Sequence, residues 1–387
     1  MVLLAYEGWT LTGSVWLPLL ANPHALQTDF HYYYDAAVRF SSDRSRLYLA
    51  SDDVIAGFAY PPPAIIPFMW LAKWPLGTAL LAFSLTSYAV LIGALQQWIR
   101  FLRREGLQID RAANAALMIV AIALGPTYMN AIFGQVNAFV LAAAVVFATM
   151  SAAASLEAGV ALALGIWLKI YPALLAAIAL WERRSWRALG WALVVLVIIV
   201  FVLLPVVPLD AYAAFIVQVL PARADKTAIH ITNQSLVACV ERFAYPPETF
   251  LNWTGEQAVT VNAAVRVLNG IVAAIGVAWC AMRSRRGEHA AAIASLVALI
   301  AVVAPLGWGH TYVMVLPLVV LRLAEIRNAA AFKTAAVVAC VLALSLPAGR
   351  HFPLDQLPGW LQIIFYSRYL IATVAMVGLT SASNRRM

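Results

Sequence analysis

An all-α polytopic membrane protein is the expectation for this chain, on three grounds. Of its 387 residues 63% are hydrophobic and only 11% are charged, where soluble domains run near half and a quarter. A mean hydropathy of +0.83 leaves too little polar side chain to cover a surface facing water. The apolar residues also gather into stretches near the roughly 20 residues that cross a bilayer as a helix. Three cysteines, Cys239, Cys280 and Cys340, do not build a disulfide-stapled secreted fold. The net charge of +8, from 26 basic and 18 acidic residues, has to be read against membrane topology before it points to nucleic acid.

The spans fall, in order, at 2–20, 76–99, 112–124, 138–150, 158–168, 171–181, 188–207, 261–282, 290–305, 311–321, 334–346 and 361–380. The first carries Glu7 and lacks the basic n-region and cleavage site of a signal peptide. The fifth and sixth also read as one helix with Lys169 in its middle. Charge decides between the two: basic clusters lie at 100–111, 183–187, 283–286, 322–333 and 385–386, and short positive loops stay in the cytoplasm. One helix over 158–181 sends the first two clusters to opposite sides, whereas a turn at Lys169-Ile170-Tyr171-Pro172 keeps all five inside. Pro172 disfavours helix at Tyr171 and suits the start of a new one. Twelve spans follow, in a single integral membrane domain over 1–387 with both termini cytoplasmic. The basic excess is then an orientation signal.

This topology leaves two long outer loops, 21–75 and 208–260. Within the first, 29–40 (DFHYYYDAAVRF) reads as an interfacial amphipathic helix, with Asp35 and Arg39 at i,i+4 spacing. The stretch 61–74 is too short and too rich in proline to span, and reads as a second juxtamembrane helix.

Several chemistries have no sequence support. No GxxxxGK[ST] loop encodes a nucleotide-hydrolysing pump, and no HExxH or CxxC pair offers a metal site. The six histidines are scattered, and Asp52-Asp53 is not a DxD pair for a metal-bound nucleotide-sugar. An enzyme built this way takes its donor from the membrane.

The polar residues that remain each have a structural and a functional reading. Asp29 opens the amphipathic helix, either to complement its dipole or to act as a general base on an acceptor hydroxyl; Asp35 is the competing carboxylate. Lys169 is one of only four lysines, either a snorkelling helix-end side chain or a phosphate ligand. Gly134-Gln135-Val136-Asn137 is a glycine-punctuated polar turn or part of a site. The same choice applies to Lys226, His230, Asn233, Gln234 and Arg242 in the second outer loop, and to His310 at the start of the tenth span. Asn233 and Asn252 also fit the glycosylation pattern N-x-[ST]. Sidedness is the stronger signal: Asp29, Gln135, Asn137, Lys169, Asn233, Gln234, Arg242 and His310 all fall at the outer boundary. A transporter or lipid flippase is the alternative class, but it calls for polar groups near the midplane and matching halves.

Thr28-Asp29-Phe30 with Tyr33 and Tyr34, then Phe58-Ala59-Tyr60-Pro61-Pro62, resembles the first outer loop of glycosyltransferase family 87. The later motifs follow in order: Gly134 to Asn137, Gly159…Gly165…Lys169…Tyr171-Pro172, Asn233-Gln234-Ser235 and His310. The resemblance covers essentially the whole chain. It implies a GT-C-like helical bundle that moves a sugar, mannose foremost, from a polyprenyl-phosphate carrier to a glycolipid or glycan acceptor with inversion. The active site is then on the extracytoplasmic side of the plasma membrane. It also implies Asp29 as general base, Lys169 and Arg242 on the donor phosphate, and Tyr33, Asp35, Tyr60, Gln135, Asn137, Asn233, Gln234 and His310 as substrate contacts. Membrane lipids are expected partners, with no divalent metal, cofactor or nucleic acid, in a monomer. Two departures from the family pattern are the short first span and the single histidine near His310.

Overall fold

The computed structural model describes residues 28–48, 57–251, 258–326, 329–350, 352–354 and 356–379. The expected first span with Glu7, His24, Asp52-Asp53, Asn252 and the 385–386 cluster lie outside them. The protein is 76% helical and nearly all-α. Among the described residues three helices are individually long and apolar enough to cross a bilayer, or five if each of two bent pairs is one span. Six further apolar helices among the described residues are 10–17 residues long.

The elements follow the predicted order. Helix α1 is Asp29–Ser42, and a 3-10 turn Pro62–Ala64 leads into α2, Ile65–Leu71. These are the two helices expected between 29 and 74. Helix α3 is Leu76–Arg104; α4 (Arg111–Ile122) and α5 (Gly125–Ile132) bend by 54° at their junction. Next come α6 (Asn137–Met150), α7 (Ser155–Leu168), a 3-10 helix Tyr171–Leu180, and α8 (Ser185–Leu203). The chain does break at Lys169, whose extended backbone (φ −152°, ψ 138°) ends α7.

The second loop is more helical than expected. Helix α9 (Leu209–Ala214) passes through a π turn, Phe215–Val219, into α10 (Leu220–Asp225). Strand β1 (Lys226–Ala228), α11 (Leu236–Glu241), α12 (Pro247–Leu251) and β2 (Ala258–Thr260) complete it. Then follow α13 (Ala263–Arg285), α14 (His289–Val303), a 3-10 helix Gly309–Val315, α15 (Leu316–Glu325), α16 (Ala331–Ser345), and the pair α17 (Gly359–Tyr366) and α18 (Arg368–Gly378), bent by 64°. The expected tenth span thus begins as 3-10 rather than α-helix.

The described chain forms two compact units. The first holds the segments up to Gly93, Asn130–Ala173 and Arg184–Thr227. In it α7 packs against both α6 and α8. Gly159 makes the α7–α8 approach possible, since a Cβ there would meet the Ala188 carbonyl at 2.6 Å; at Gly165 it would meet Ala143 Cβ at 2.9 Å. Small residues let helix backbones come this close when no water is present to drive association. Apolar side chains of α8, among them Leu193, Val197, Phe201 and Val202, stay exposed, a face suited to hydrocarbon.

The second unit holds Ala94–Met129, Leu174–Arg183 and the chain from Ala228 onward. Its centre is α14, buried at every position from Ala290 to Val302. A helix that is apolar all round belongs in such a core. Trp98 Nε1 donates to Pro317 O at 2.8 Å, tying the end of α3 to α15. Two buried arginines hold the last carbonyls of α18: Arg283 donates to Val377 O at 2.9 Å and Arg322 to Met376 O at 3.0 Å. Each also pairs with a carboxylate, Glu288 and Glu325 respectively, and both complement the negative end of the helix dipole.

Candidate active site

The first unit gathers the expected site residues from three separate segments. Helix α1 brings Asp29. Its start is shaped by Thr28 and His31, whose ring Nδ1 lies 3.2 Å from the Thr28 backbone N and 3.0 Å from its Oγ1. Phe30, fully buried, packs on Phe68 and Phe83, and its N–H donates to Phe133 O at 3.1 Å. Asp29 is thereby held, half-buried, beside the turn after α5.

That turn needs Gly134. Its φ of +61° lies in the left-handed region, and a Cβ would come within 2.7 Å of Phe30 Cβ and 2.9 Å of Leu80 Cδ1. Only glycine meets both conditions. The turn delivers Gln135 and Asn137, both buried, toward the end of α7. There the break after Leu168 turns Lys169 inward, outside the helices on either side of it.

Gln135 is the centre of what results. Its side-chain N–H donates to the Asp29 carboxylate, and its Oε1 accepts from Lys169 Nζ at 3.1 Å and from Tyr60 OH at 3.4 Å. Lys169 Nζ also donates to Asn137 Oδ1 at 2.8 Å and lies 5.4 Å from the centre of the Tyr60 ring. Tyr60 and Tyr33 share a 2.7 Å hydroxyl contact. The amide can bridge in one sense only, with NH2 toward the anion and carbonyl toward the cation. A base and a cation are therefore held one amide apart. Lys169 keeps a third N–H beyond the two given to amides.

Electrostatics assign protonation states. Burial pushes the Lys169 ammonium down to about 7; the Asp29 charge opposes that shift and Arg223 adds to it. Burial raises the Tyr33 and Tyr60 hydroxyls, and the charge of Asp29 raises both further, so both stay protonated as donors. Arg223 itself was missed by the sequence reading. It lies in α10, is half-buried, donates to Gly57 O at 3.5 Å, and acts on Lys169, Tyr33, Tyr60 and Tyr171 together. The sequence signal was weak, a lone arginine in LPARAD; the structure sets it one turn after a π turn, a geometry frequent at functional sites. Asp35, also on α1, is exposed and lies outside this hydrogen-bonded group.

The other expected contacts lie in the second unit and bond differently. Arg242 is fully buried. Its Nε donates to Ile229 O at 2.8 Å, Nη1 to Ser367 Oγ at 3.0 Å, and Nη2 to His230 O at 2.6 Å and to Asn233 O. With four of five N–H groups engaged, Arg242 acts as an internal clamp of the second unit. Asn233 and Gln234 are also fully buried. Asn233 donates to Ala228 O at 2.9 Å; Gln234 donates to Tyr366 O at 2.6 Å and accepts from Tyr369 N at 3.1 Å. Ser235 caps α11 through Ala238 N at 3.1 Å. This strand-like turn pairs with 307–309: Gln234 N donates to Gly307 O and Gly309 N to Thr232 O, each at 2.8 Å. His310, buried on the following 3-10 helix, is thus brought beside it. Among the described residues no three His, Cys, Asp or Glu side chains come together as metal ligands.

Asp29 and Lys169 are thus joined through the Gln135 amide within a unit of apolar helices. The model of glycosyltransferase family 87 matches residues 58–305, more than half of the chain, and the chain belongs to that family. It is a membrane glycosyltransferase. The matched stretch includes Tyr60, Gln135, Asn137, Lys169 and Arg223, while Asp29 precedes it and His310 follows it. No curated protein and no solved structure matches the chain.

Proposed function

We propose that the enzyme moves a hexose, mannose foremost, from a polyprenyl-phosphate carrier to an acceptor hydroxyl by a single inverting displacement. One observation carries this reading: the Asp29–Gln135–Lys169 bridge, which holds a base and an anion-binding cation together without neutralising either. Asp29 takes the proton of the acceptor hydroxyl as its oxygen bonds to the anomeric carbon. The bond from that carbon to the phosphate oxygen breaks with the electron pair going to phosphate, and the carrier leaves as polyprenyl phosphate. Charge builds on the anomeric carbon and on the leaving phosphate. Lys169, with Arg223 in the place first given to Arg242, stabilises the phosphate in a partly dry setting, where such contacts act strongly.

Asn137 and Tyr60 hold the ammonium, while Tyr33 supports Tyr60. This reading gives Asp35, Asn233, Gln234 and His310 no part in the transfer step. The twelve-span topology, with the site at the extracytoplasmic face of the plasma membrane, completes the proposal: the carrier lipid and a glycolipid or glycan acceptor reach a monomeric enzyme there.

The test is transfer by the purified full chain from synthetic polyprenyl-phosphate-mannose, followed by mass spectrometry of the product. Asp29→Asn is expected to lower turnover by about 10³-fold or more with folding unchanged. Undiminished turnover removes Asp29 as base. Transfer from a soluble nucleotide-sugar with no lipid donor overturns the donor class.

A further inference from the structure

A second cationic feature stands in the second unit and shares no residue with the Asp29–Lys169 group. Arg368 opens α18 and is only 9% exposed. Its Nη2 is anchored on the carbonyls of Leu346 and Pro347. Its Nε and Nη1 are buried with no hydrogen-bond partner, so three N–H bonds of a permanently charged group go unused among the described residues. Buried charge in that condition is costly unless an acceptor arrives.

The surroundings narrow the acceptor. Rings of Phe352, Tyr369 and Phe365 stand 5.4, 5.6 and 6.0 Å from the guanidinium carbon. They satisfy its faces but accept nothing in its plane, where the N–H bonds point. Arg350, exposed, is near enough to repel Arg368. Two cations brought together without an anion among the described residues describe one side of an anion site. The adjoining α17 leaves Trp360, Ile364 and Phe365 exposed; the first two, at i and i+4, share one face of the helix. An anion with an apolar chain fits this surface better than a free ion, because the rings that flank the guanidinium continue into an apolar strip.

We propose that Arg368 and Arg350 bind the phosphate of an anionic lipid whose chain lies along the exposed face of α17. Arg368 supplies the buried in-plane donors and Arg350 the outer charge. The lipid completes the hydrogen bonding of Arg368 and thereby braces the bend between α17 and α18.

The experiment is native mass spectrometry of the full chain in detergent, with phosphatidylglycerol, phosphatidylcholine or inorganic phosphate added. The wild type is expected to retain one phosphatidylglycerol and to discriminate against zwitterionic phosphatidylcholine. Arg350→Gln, at an exposed position, keeps the fold and lowers that retention about tenfold, the effect of one charge-assisted hydrogen bond. Arg368→Lys keeps the charge but loses the fork and lowers retention further. Displacement of the lipid by millimolar inorganic phosphate shows a free-anion site and overturns the lipid assignment. Equal retention by wild type and Arg350→Gln, or equal retention of phosphatidylcholine, overturns the site altogether. Neither readout depends on sugar transfer.

Discussion

The two polar groups of this protein, Asp29–Gln135–Lys169 in the first unit and Asn233–Gln234–Arg242 in the second, look alike in the sequence and differ in what they bond to. In the first, side chains bond to side chains: an amide joins a carboxylate to an ammonium, and a half-buried carboxylate remains at the edge. In the second, side chains bond mainly to backbone carbonyls and are fully buried. Carbonyls that no helix satisfies must find donors, and Arg242, Asn233 and Gln234 supply them. Buried polar residues satisfied by backbone hold the chain in place. Those satisfied by one another, with opposed charges, are the ones on which the proposed chemistry rests.

Substitutions can break this contrast, and the largest effect belongs to the first group. Asp29→Asn is expected to reduce turnover by about 10³-fold or more while leaving the thermal melt unchanged. Lys169→Met comes next, with a loss of roughly 10²-fold in kcat/KM for the lipid donor. Its pH dependence sharpens the assignment. The ammonium is charged below its value of about 7 and neutral above it, so kcat/KM falls as pH rises through that region. Lys169→Arg, which stays charged, is expected to move the alkaline limb upward; a limb that does not move rules out Lys169 as its source.

Arg242→Met tests the other side of the comparison. It leaves the buried carbonyls of Ile229, His230 and Asn233 without their donor, and is expected to cost about 3 kcal/mol of stability, read as a lowered denaturation midpoint. The folded fraction should retain its KM for donor; a raised KM without lost stability returns Arg242 to the phosphate. Arg223→Gln is the smallest effect, about a tenfold rise in donor KM with kcat and melt little changed, measured by initial rates.

Much of this was legible beforehand, for identifiable reasons. The helices follow from apolar run length, and helix occupies most of each predicted apolar stretch within the described residues. The break at Lys169 was legible because Pro172 and the charge clusters demand it. Asp29 was legible from its place at the head of an amphipathic stretch. Bending at 123–124 and at Ser367, the 3-10 geometry after Gly309 and the helix over 209–225 were not. Apolar composition is the same for a straight span and a broken one.

Arg223 and Arg242 show where the boundary lies. Each is a single arginine in a polar loop, and nothing local separates a half-buried side chain whose charge is felt at Lys169 from one fully buried among carbonyls. By itself the sequence determined the membrane environment, the helical class and the family motifs, because these rest on run length, composition and short-range spacing. Only the tertiary structure decided which polar residues face one another. That choice depends on contacts between segments far apart in the chain, such as Asp29 with Gln135, and on where each buried carbonyl finds its donor.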